Sequence, residues 1–511
     1  MKFSTETKTL GFCENNYEST AEQSVDAELI LPDYCPEIKR ILKCSVSTDI
    51  LSVQNSSGRV NAQGNANIRL LYVGENDKTA AYEQIVPIQK SVDSDKLSSS
   101  CAVSVKAVTD YVNCRALNPR KVDVRAMLTF VFKSIKKREE TVMTKAEDAG
   151  IMTLSHDFGF SDLKSVTEKA FNLSEVIELG GDKPVISRVI NSSSYIDINE
   201  KKVINNKILL KGNCYVNVHY LAENDSSICS VEHTVPVSQI VEVDGINDNS
   251  DVFISVSITA CETVPKVDSK GETKLIDLSV RASAVVMAFE SVPVTLISDA
   301  YSTDYSVRNS SKSIEMLSAN SDYASVFTNK VVLESIGVSV DCVLAVWCSD
   351  VKYSYSLKNG KCCFTGTYQA TIIFRDSEKQ QGVIQKPVDF EFSVDLKNEC
   401  ERIVCHSSLQ IIGCSCSVTG ESKIELRTEM NVSAKILSSK IIKYISEIEL
   451  NEIESDKRDE CALTVYFCDK NEKVWDIAKK YRTTVEAVMS ENALDSDVIS
   501  EKKTLLIPSV R

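Results

Sequence analysis

The dominant pattern along the chain is alternation with period two. Val103-Ser-Val-Lys-Ala107 and Ile254-Ser-Val-Ser-Ile258 carry an apolar residue at every second position, within segments rich in valine, isoleucine and threonine. Such segments predict β-strands with one buried face. Asn55-Ser-Ser-Gly58 and Asp268-Ser-Lys-Gly271 supply turn chemistry between them. Only near the C-terminus does the period change. Val474, Ile477, Ala478 and Tyr481 fall at i, i+3, i+4 and i+7, and Val485, Val488 and Met489 repeat that spacing, which predicts two short helices. Thr464-Val-Tyr-Phe-Cys468 and Leu505-Leu-Ile-Pro508 read as strands on either side, with proline confined to a strand end.

Internal repeats organise residues 1–450. The chain reads Val60-Asn-Ala-Gln-Gly64 through Tyr72 to Glu75-Asn-Asp77, and again Leu210-Lys-Gly212 through Tyr220 to Glu223-Asn-Asp225. In both, an aromatic follows the glycine by eight residues and Glu-Asn-Asp begins three later. Gly366 to Phe374 gives the same eight-residue step a third time. Val122-Asp-Val-Arg125-Ala126, Leu278-Ser-Val-Arg281-Ala282 and Ile424-Glu-Leu-Arg427-Thr428 supply a matching downstream strand in each copy. Upstream, Pro36-Glu-Ile-Lys-Arg40-Ile-Leu42 pairs with Pro184-Val-Ile-Ser-Arg188-Val-Ile190, and no such element precedes the third copy.

Strands with one apolar face bury it only by stacking or closing sheets. The expected fold is therefore mainly β: three tandem β-sandwich or barrel-like repeats at 1–145, 146–305 and 306–450, a charged linker at 451–461, and a small βααβ domain at 462–511. Gly64, Gly212 and Gly366 read as strand positions where a bulge or close packing excludes a Cβ. Arg125, Arg281 and Arg427 read as structural partners of a carboxylate such as Glu75 or Glu223, or as a repeated anchor for an acidic partner. The linker, with Glu452, Glu454, Asp456, Lys457, Arg458, Asp459 and Glu460, is too polar to pack, so the C-terminal domain is expected to be tethered and mobile.

Charge and composition narrow the function. With 58 basic against 72 acidic residues the net charge is −14, which argues against nucleic acid. Met1 to Lys8 lacks the apolar core of a signal peptide, and apolar runs such as Ala284-Val-Val-Met-Ala-Phe289 are too short for a transmembrane segment. The chain is expected to be cytosolic. Its 18 cysteines include no Cys-x-x-Cys pair. In the densest group, Cys400, Cys405, His406, Cys414 and Cys416, strand alternation sends Cys405 and His406 to opposite faces. No metal and no other cofactor is expected. A Gly-x-x-x-x-Gly-Lys loop, a His-Glu-x-x-His pair and a Gly-x-Ser-x-Gly elbow are all missing, and His156, His219, His233 and His406 are scattered. No catalytic residues are assigned, and the expected role is non-enzymatic.

The C-terminal unit, with Val474-Trp475-Asp476-Ile477-Ala478, Val488 to Asn492 and Leu505 to Pro508, resembles a LysM domain. The resemblance implies a module that binds N-acetylglucosamine glycans through two loops. Here Asn471-Glu472-Lys473 stands in place of the usual Gly-Asp-Thr turn, and Glu501-Lys502-Lys503 where a glycine normally precedes the last strand. Bulky side chains at such positions crowd a close approach, which favours a protein ligand. Three repeats followed by this module resemble the spore-coat morphogenetic proteins of the SPOCS family. That resemblance implies a scaffold of endospore coat assembly in the mother-cell cytoplasm, at the forespore surface and in the coat. Its LysM domain would bind the coat basement-layer ATPase, stage IV sporulation protein A, and other coat proteins could join it. The alternative is recognition of spore-wall peptidoglycan. Trp475 lies about 100° from Val474 around its helix, so its ring is expected to be partly exposed as an interface anchor. Glu472, Lys473 and Asn492 flank the same groove by analogy with the family.

Overall fold

A computed structural model describes residues 3–148, 150–224, 227–334, 339–420, 422–452 and 462–509. The linker expected to be mobile lies almost entirely outside them, as does Asp225. Strands β1 (Ser4–Ile30), β2 (Ile38–Ser56), β3 (Arg59–Gly74), β4 (Thr79–Asp93), β5 (Ala102–Asn118) and β6 (Lys121–Glu147) form two antiparallel sheets, ordered β1-β6-β5 and β2-β3-β4. The same order returns in β7 (Ile151–Glu178), β8 (Ile186–Ile204), β9 (Lys207–Ala222), β10 (Ile228–Glu242), β11 (Asp251–Lys266) and β12 (Leu275–Ser302). It returns once more in β13 (Ser306–Glu334), β14 (Val340–Lys358), β15 (Lys361–Asp376), β16 (Gln381–Asp395), β17 (Arg402–Gly420) and β18 (Lys423–Asn451). A last unit comprises β19 (Leu463–Cys468), α1 (Val474–Tyr481), α2 (Val485–Glu491) and β20 (Lys503–Pro508).

Within each six-stranded unit the two sheets face one another across one apolar core. In the first unit Val25, Leu29, Val124, Leu128 and Phe130 meet Val46, Val60, Ile68 and Tyr72. The sheets do not join into a closed ladder. At the β2/β5 seam, side chains bridge to backbone instead: Thr48 Oγ1 donates to the Ala107 carbonyl and Thr109 Oγ1 to that of Val46, both at 2.8 Å. The corresponding bridges are Lys201 Nζ to the Val252 carbonyl at 2.9 Å and Tyr353 Oη to that of Ser407 at 2.9 Å. The architecture is thus two sheets with open seams, between the sandwich and the barrel.

The repeated glycine has a steric cause. A Cβ on Gly64 would stand 2.0 Å from the Asp49 carbonyl oxygen, and one on Gly212 1.9 Å from that of Asp197. Each glycine lies where the neighbouring strand bulges, between Ile50 and Ser52 or Ile198 and Glu200. Eight residues on, buried Tyr72 donates its hydroxyl to the Pro36 carbonyl at 3.0 Å, and buried Tyr220 donates to that of Pro184 at 3.3 Å. The third unit differs at the same place. It has Phe374, with no hydroxyl to place, and no proline element to accept one.

The units also share cores. Leu10, Phe12 and Val142 from the first pack with Phe160, Leu163, Phe253, Phe289 and Leu296 from the second and Ile314, Met316, Leu437 and Tyr444 from the third. Leu71, Ile190, Leu221, Ala345 and Ile373 make a second such junction among the shorter sheets. Lys435, 3% exposed, reaches from β18 to pair with Asp251 and Asp322. Two of the three repeated arginines pair with a carboxylate, as expected, though not with Glu75 or Glu223. Arg125 and Arg427 pair along their own strands with Asp123 at 3.3 Å and Glu429 at 2.6 Å, while Arg281 reaches across units to the Leu51 carbonyl at 3.4 Å. A residue two positions along the same strand shares its face, so these pairs form locally.

Candidate docking site on the C-terminal module

The module folds as its periodicity predicts. Val474, Ile477 and Ala478 of α1 and Val488 of α2 turn inward onto Cys468, Leu505 and Ile507. Thr484 caps α2 by accepting the Ala487 amide at 3.1 Å. In α1, Asp476 sits in the first turn and Lys479 and Lys480 in the last, each sign matched to the helix dipole. Arg482 ends α1 in the left-handed conformation.

Helices cover only the inner face of the two-stranded sheet. Val465 stands opposite Leu506 and Leu463 opposite Pro508, so the other face carries Leu463, Val465, Phe467 and Leu506. All four are exposed, Phe467 at 77%. Exposed hydrophobes scattered singly need no explanation, whereas a contiguous apolar stripe on a small sheet marks an interaction surface. Among the described residues, β19 and β20 pair only with each other; Asn492 occupies the outer edge of β20 at Leu506, which leaves the outer edge of β19 as the open one. The sequence reading missed this face. Its signal was present, since Leu463, Val465 and Phe467 alternate with residues that face the helices.

The loops that flank a LysM groove are bonded to one another. The Asn471 amide donates to the Ile499 carbonyl at 2.8 Å, the Ile499 amide to that of Glu472 at 2.9 Å, and the Val474 amide to that of Asp497 at 2.7 Å. The Glu472 carboxylate braces the turn, accepting Tyr466 Oη and the Asp469 amide, each at 3.1 Å. Lys473 is exposed and precedes α1. Asn492 is a clamp: its Nδ2 donates to the Val488 and Leu506 carbonyls, and its Oδ1 accepts the Leu506 amide at 2.7 Å. The four residues singled out from the sequence therefore occupy two places, with Glu472, Lys473 and Asn492 around the loops and Trp475 elsewhere.

Trp475 is half-buried, and its outer surface meets the second unit. Its Nε1 donates to Asp299 at 2.9 Å, and its ring packs edge-on against Tyr301 with centroids 4.9 Å apart. Lys479 pairs with the same Asp299 at 2.7 Å. Tyr301 donates its buried hydroxyl to the Thr483 carbonyl at 2.7 Å, and burial pushes its phenol well above the usual tyrosine range. The sequence reading leaves the module free of the repeats. In the structure the helical side lies against the end of β12, and the apolar sheet face is on the opposite side of the module.

Among the described residues no group of three or more His, Cys, Asp or Glu side chains converges as a metal site. Cys405 lies in the core with Cys362 while Cys414 faces Cys348, so the densest cysteine group does not gather. His219 is buried against Trp347, with ring centroids 5.6 Å apart, and desolvation lowers its pKa to about 4. His406 is lowered to about 4 by desolvation and by Lys435. Among the described residues no helix is long and apolar enough to cross a membrane.

Two family models match the chain. One, described as SipL, SPOCS domain, matches residues 37–117 and 185–265, which span β2 to β5 and β8 to β11. The other, described as LysM domain, matches residues 470–508. The chain thus combines SPOCS domains with a C-terminal LysM domain. In that content it is SipL-like, as the sequence resemblance implied. Neither domain type is a catalytic one. Together they suggest a sporulation-related protein carrying a module of the peptidoglycan- and glycan-binding class. No curated protein and no solved structure matches.

Proposed function

We propose that the chain is a non-enzymatic scaffold of endospore coat assembly whose LysM domain holds a protein partner, the coat basement-layer ATPase, in the mother cell at the forespore surface. In this reading residues 1–145, 146–305 and 306–450 are three copies of one SPOCS-type repeat, the third too divergent in its proline element and aromatic to match as the others do. The observation that carries the reading is the apolar sheet face of Leu463, Val465, Phe467 and Leu506. Stacking between apolar surfaces suits a polypeptide, and the open edge of β19 accepts an added strand. The loops that would take a sugar have several amides and carbonyls committed to each other, with Glu472 and Lys473 on their rim in contact range of the same partner. Trp475 acts as a positioning residue that seats the module on the second repeat, and Asn492 holds α2 to β20 beneath the docking face.

Capture experiments with the full chain separate this from the peptidoglycan reading. The purified coat ATPase should retain the chain, and insoluble peptidoglycan should not. Saturable retention by peptidoglycan, competed by chitin oligomers, with none by the ATPase, overturns the proposal.

A further inference from the structure

The open seams hold thiols in facing pairs. Cys44 on β2 and Cys114 on β5 neighbour one another across the seam of the first unit, both packed against its core. Cys348 on β14 and Cys414 on β17 neighbour one another across the same seam of the third, where the Cys414 thiol reaches the Val346 carbonyl of β14 at 3.7 Å. All four are free thiols, half-buried and packed against the core of their unit. The second unit lacks such a pair. Cys261, opposite Val280 as Cys114 is opposite Val124, bonds instead to Ser194 and Ser192 on β8. Ser192 follows Pro184 by eight residues, as Cys44 follows Pro36. The same seam position is thus a dithiol in two units and a thiol facing serines in one.

We propose that Cys44 with Cys114 and Cys348 with Cys414 are latent disulfide sites, and that oxidation by a low-molecular-weight disulfide joins the two sheets covalently in the first and third units. No backbone ladder crosses the β2/β5 or β14/β17 seam, so a bridge there constrains sheets otherwise held by side chains and core packing. Hydrogen bonding from Cys44 favours the Cys114 thiolate, and hydrogen bonding from Cys414 favours that of Cys348. Each is then the attacking sulfur. Its thiolate attacks one sulfur of the external disulfide, whose S–S bond breaks and releases one thiol. The partner cysteine, deprotonated, attacks the mixed disulfide and releases the second. Two electrons and two protons pass from the cysteine pair to the reagent, which leaves as two thiols.

The test uses the full chain, fully reduced, then treated with oxidised glutathione, alkylated and mapped by peptide mass spectrometry. Linked peptides joining Cys44 to Cys114 and Cys348 to Cys414 are expected, with alkylation lost at those four positions. Cys261 should be recovered alkylated or as a glutathione adduct. The buried pair Cys362 and Cys405 should lag behind the seams. Cys44→Ser keeps the fold, because serine already fills the matching place in the second unit. It should abolish the first link, leave Cys114 alkylated or glutathionylated, and leave the Cys348 to Cys414 link intact. The thermal midpoint should rise on oxidation of the unaltered chain, and by less in the variant. Cys114 bridged to any other cysteine, to another chain, or fully alkylated after treatment overturns the proposal.

Discussion

Asp299→Ala tests how the module is seated. Asp299 accepts the Trp475 indole at 2.9 Å and pairs with Lys479 at 2.7 Å, with Asp299 27% and Lys479 42% exposed. At that exposure the ion pair contributes about 0.5–1 kcal/mol. The indole bond to a carboxylate adds about 1.5 kcal/mol. Removing both weakens seating by roughly 2 kcal/mol, a factor of about 30 in the docking equilibrium. Tyr301→Phe, which deletes the buried bond to the Thr483 carbonyl, adds about 1 kcal/mol. Hydrogen exchange read by mass spectrometry supplies the assay. Peptides covering α1 and the end of β12 should lose protection together, tenfold or more in Asp299→Ala and further in the double variant, while the module core at Val488 and Leu505 stays protected. Asp299→Asn, which keeps an acceptor but not the ion pair, should fall between. Unchanged protection of α1 in the double variant would refute the seating argument.

Three further outcomes follow from the geometry. Gly212→Ala drives a Cβ into the Asp197 carbonyl and should cost about 1–3 kcal/mol in chemical unfolding, as should Gly64→Ala, whereas Gly181→Ala meets nothing within 4 Å and should be close to neutral. Tyr220→Phe should cost about 1 kcal/mol, read from the same curves, because it strands the Pro184 carbonyl; Phe374→Tyr in the third unit should bring no matching gain. His219 and His406, lowered to about 4 from 6.5 by burial, bind protons more readily unfolded than folded. Their contribution is therefore fully present above pH 6.5 and lost as pH falls towards 4, by about 3 kcal/mol for each. Urea titrations across that window should show a shallower slope in His219→Gln.

Much of the β architecture was legible because its signals are local. Period-two alternation in Val103 to Ala107 predicts a strand whatever surrounds it, and Gly64 and Gly212 advertise the backbone contacts that later prove to be carbonyls of a bulged neighbour. The module's two helices were equally readable from the Val474, Ile477, Ala478 and Tyr481 stripe. What failed to appear were long-range contacts. Nothing near Arg281 announces Leu51, 230 residues away, and nothing near Trp475 announces Asp299 or Tyr301. The helical position of Trp475 points its ring away from the Val474 stripe, but the surface that meets it belongs to the second unit. The true outer face, at Phe467, was readable as alternation and was passed over because a two-stranded sheet buries one side only.

In the proposed function the LysM module grips a protein through its sheet rather than a glycan through its loops. Phe467 is 77% exposed, so Phe467→Ser leaves the fold intact. A buried phenylalanine at an interface contributes about 2 kcal/mol as a hot spot, a loss of about 30-fold in affinity. Isothermal titration of the full chain against the coat ATPase should show that loss in Phe467→Ser and little change in Lys473→Ala. Equal affinity of Phe467→Ser and the unaltered chain, with loss of binding in the loop variant, would contradict the account.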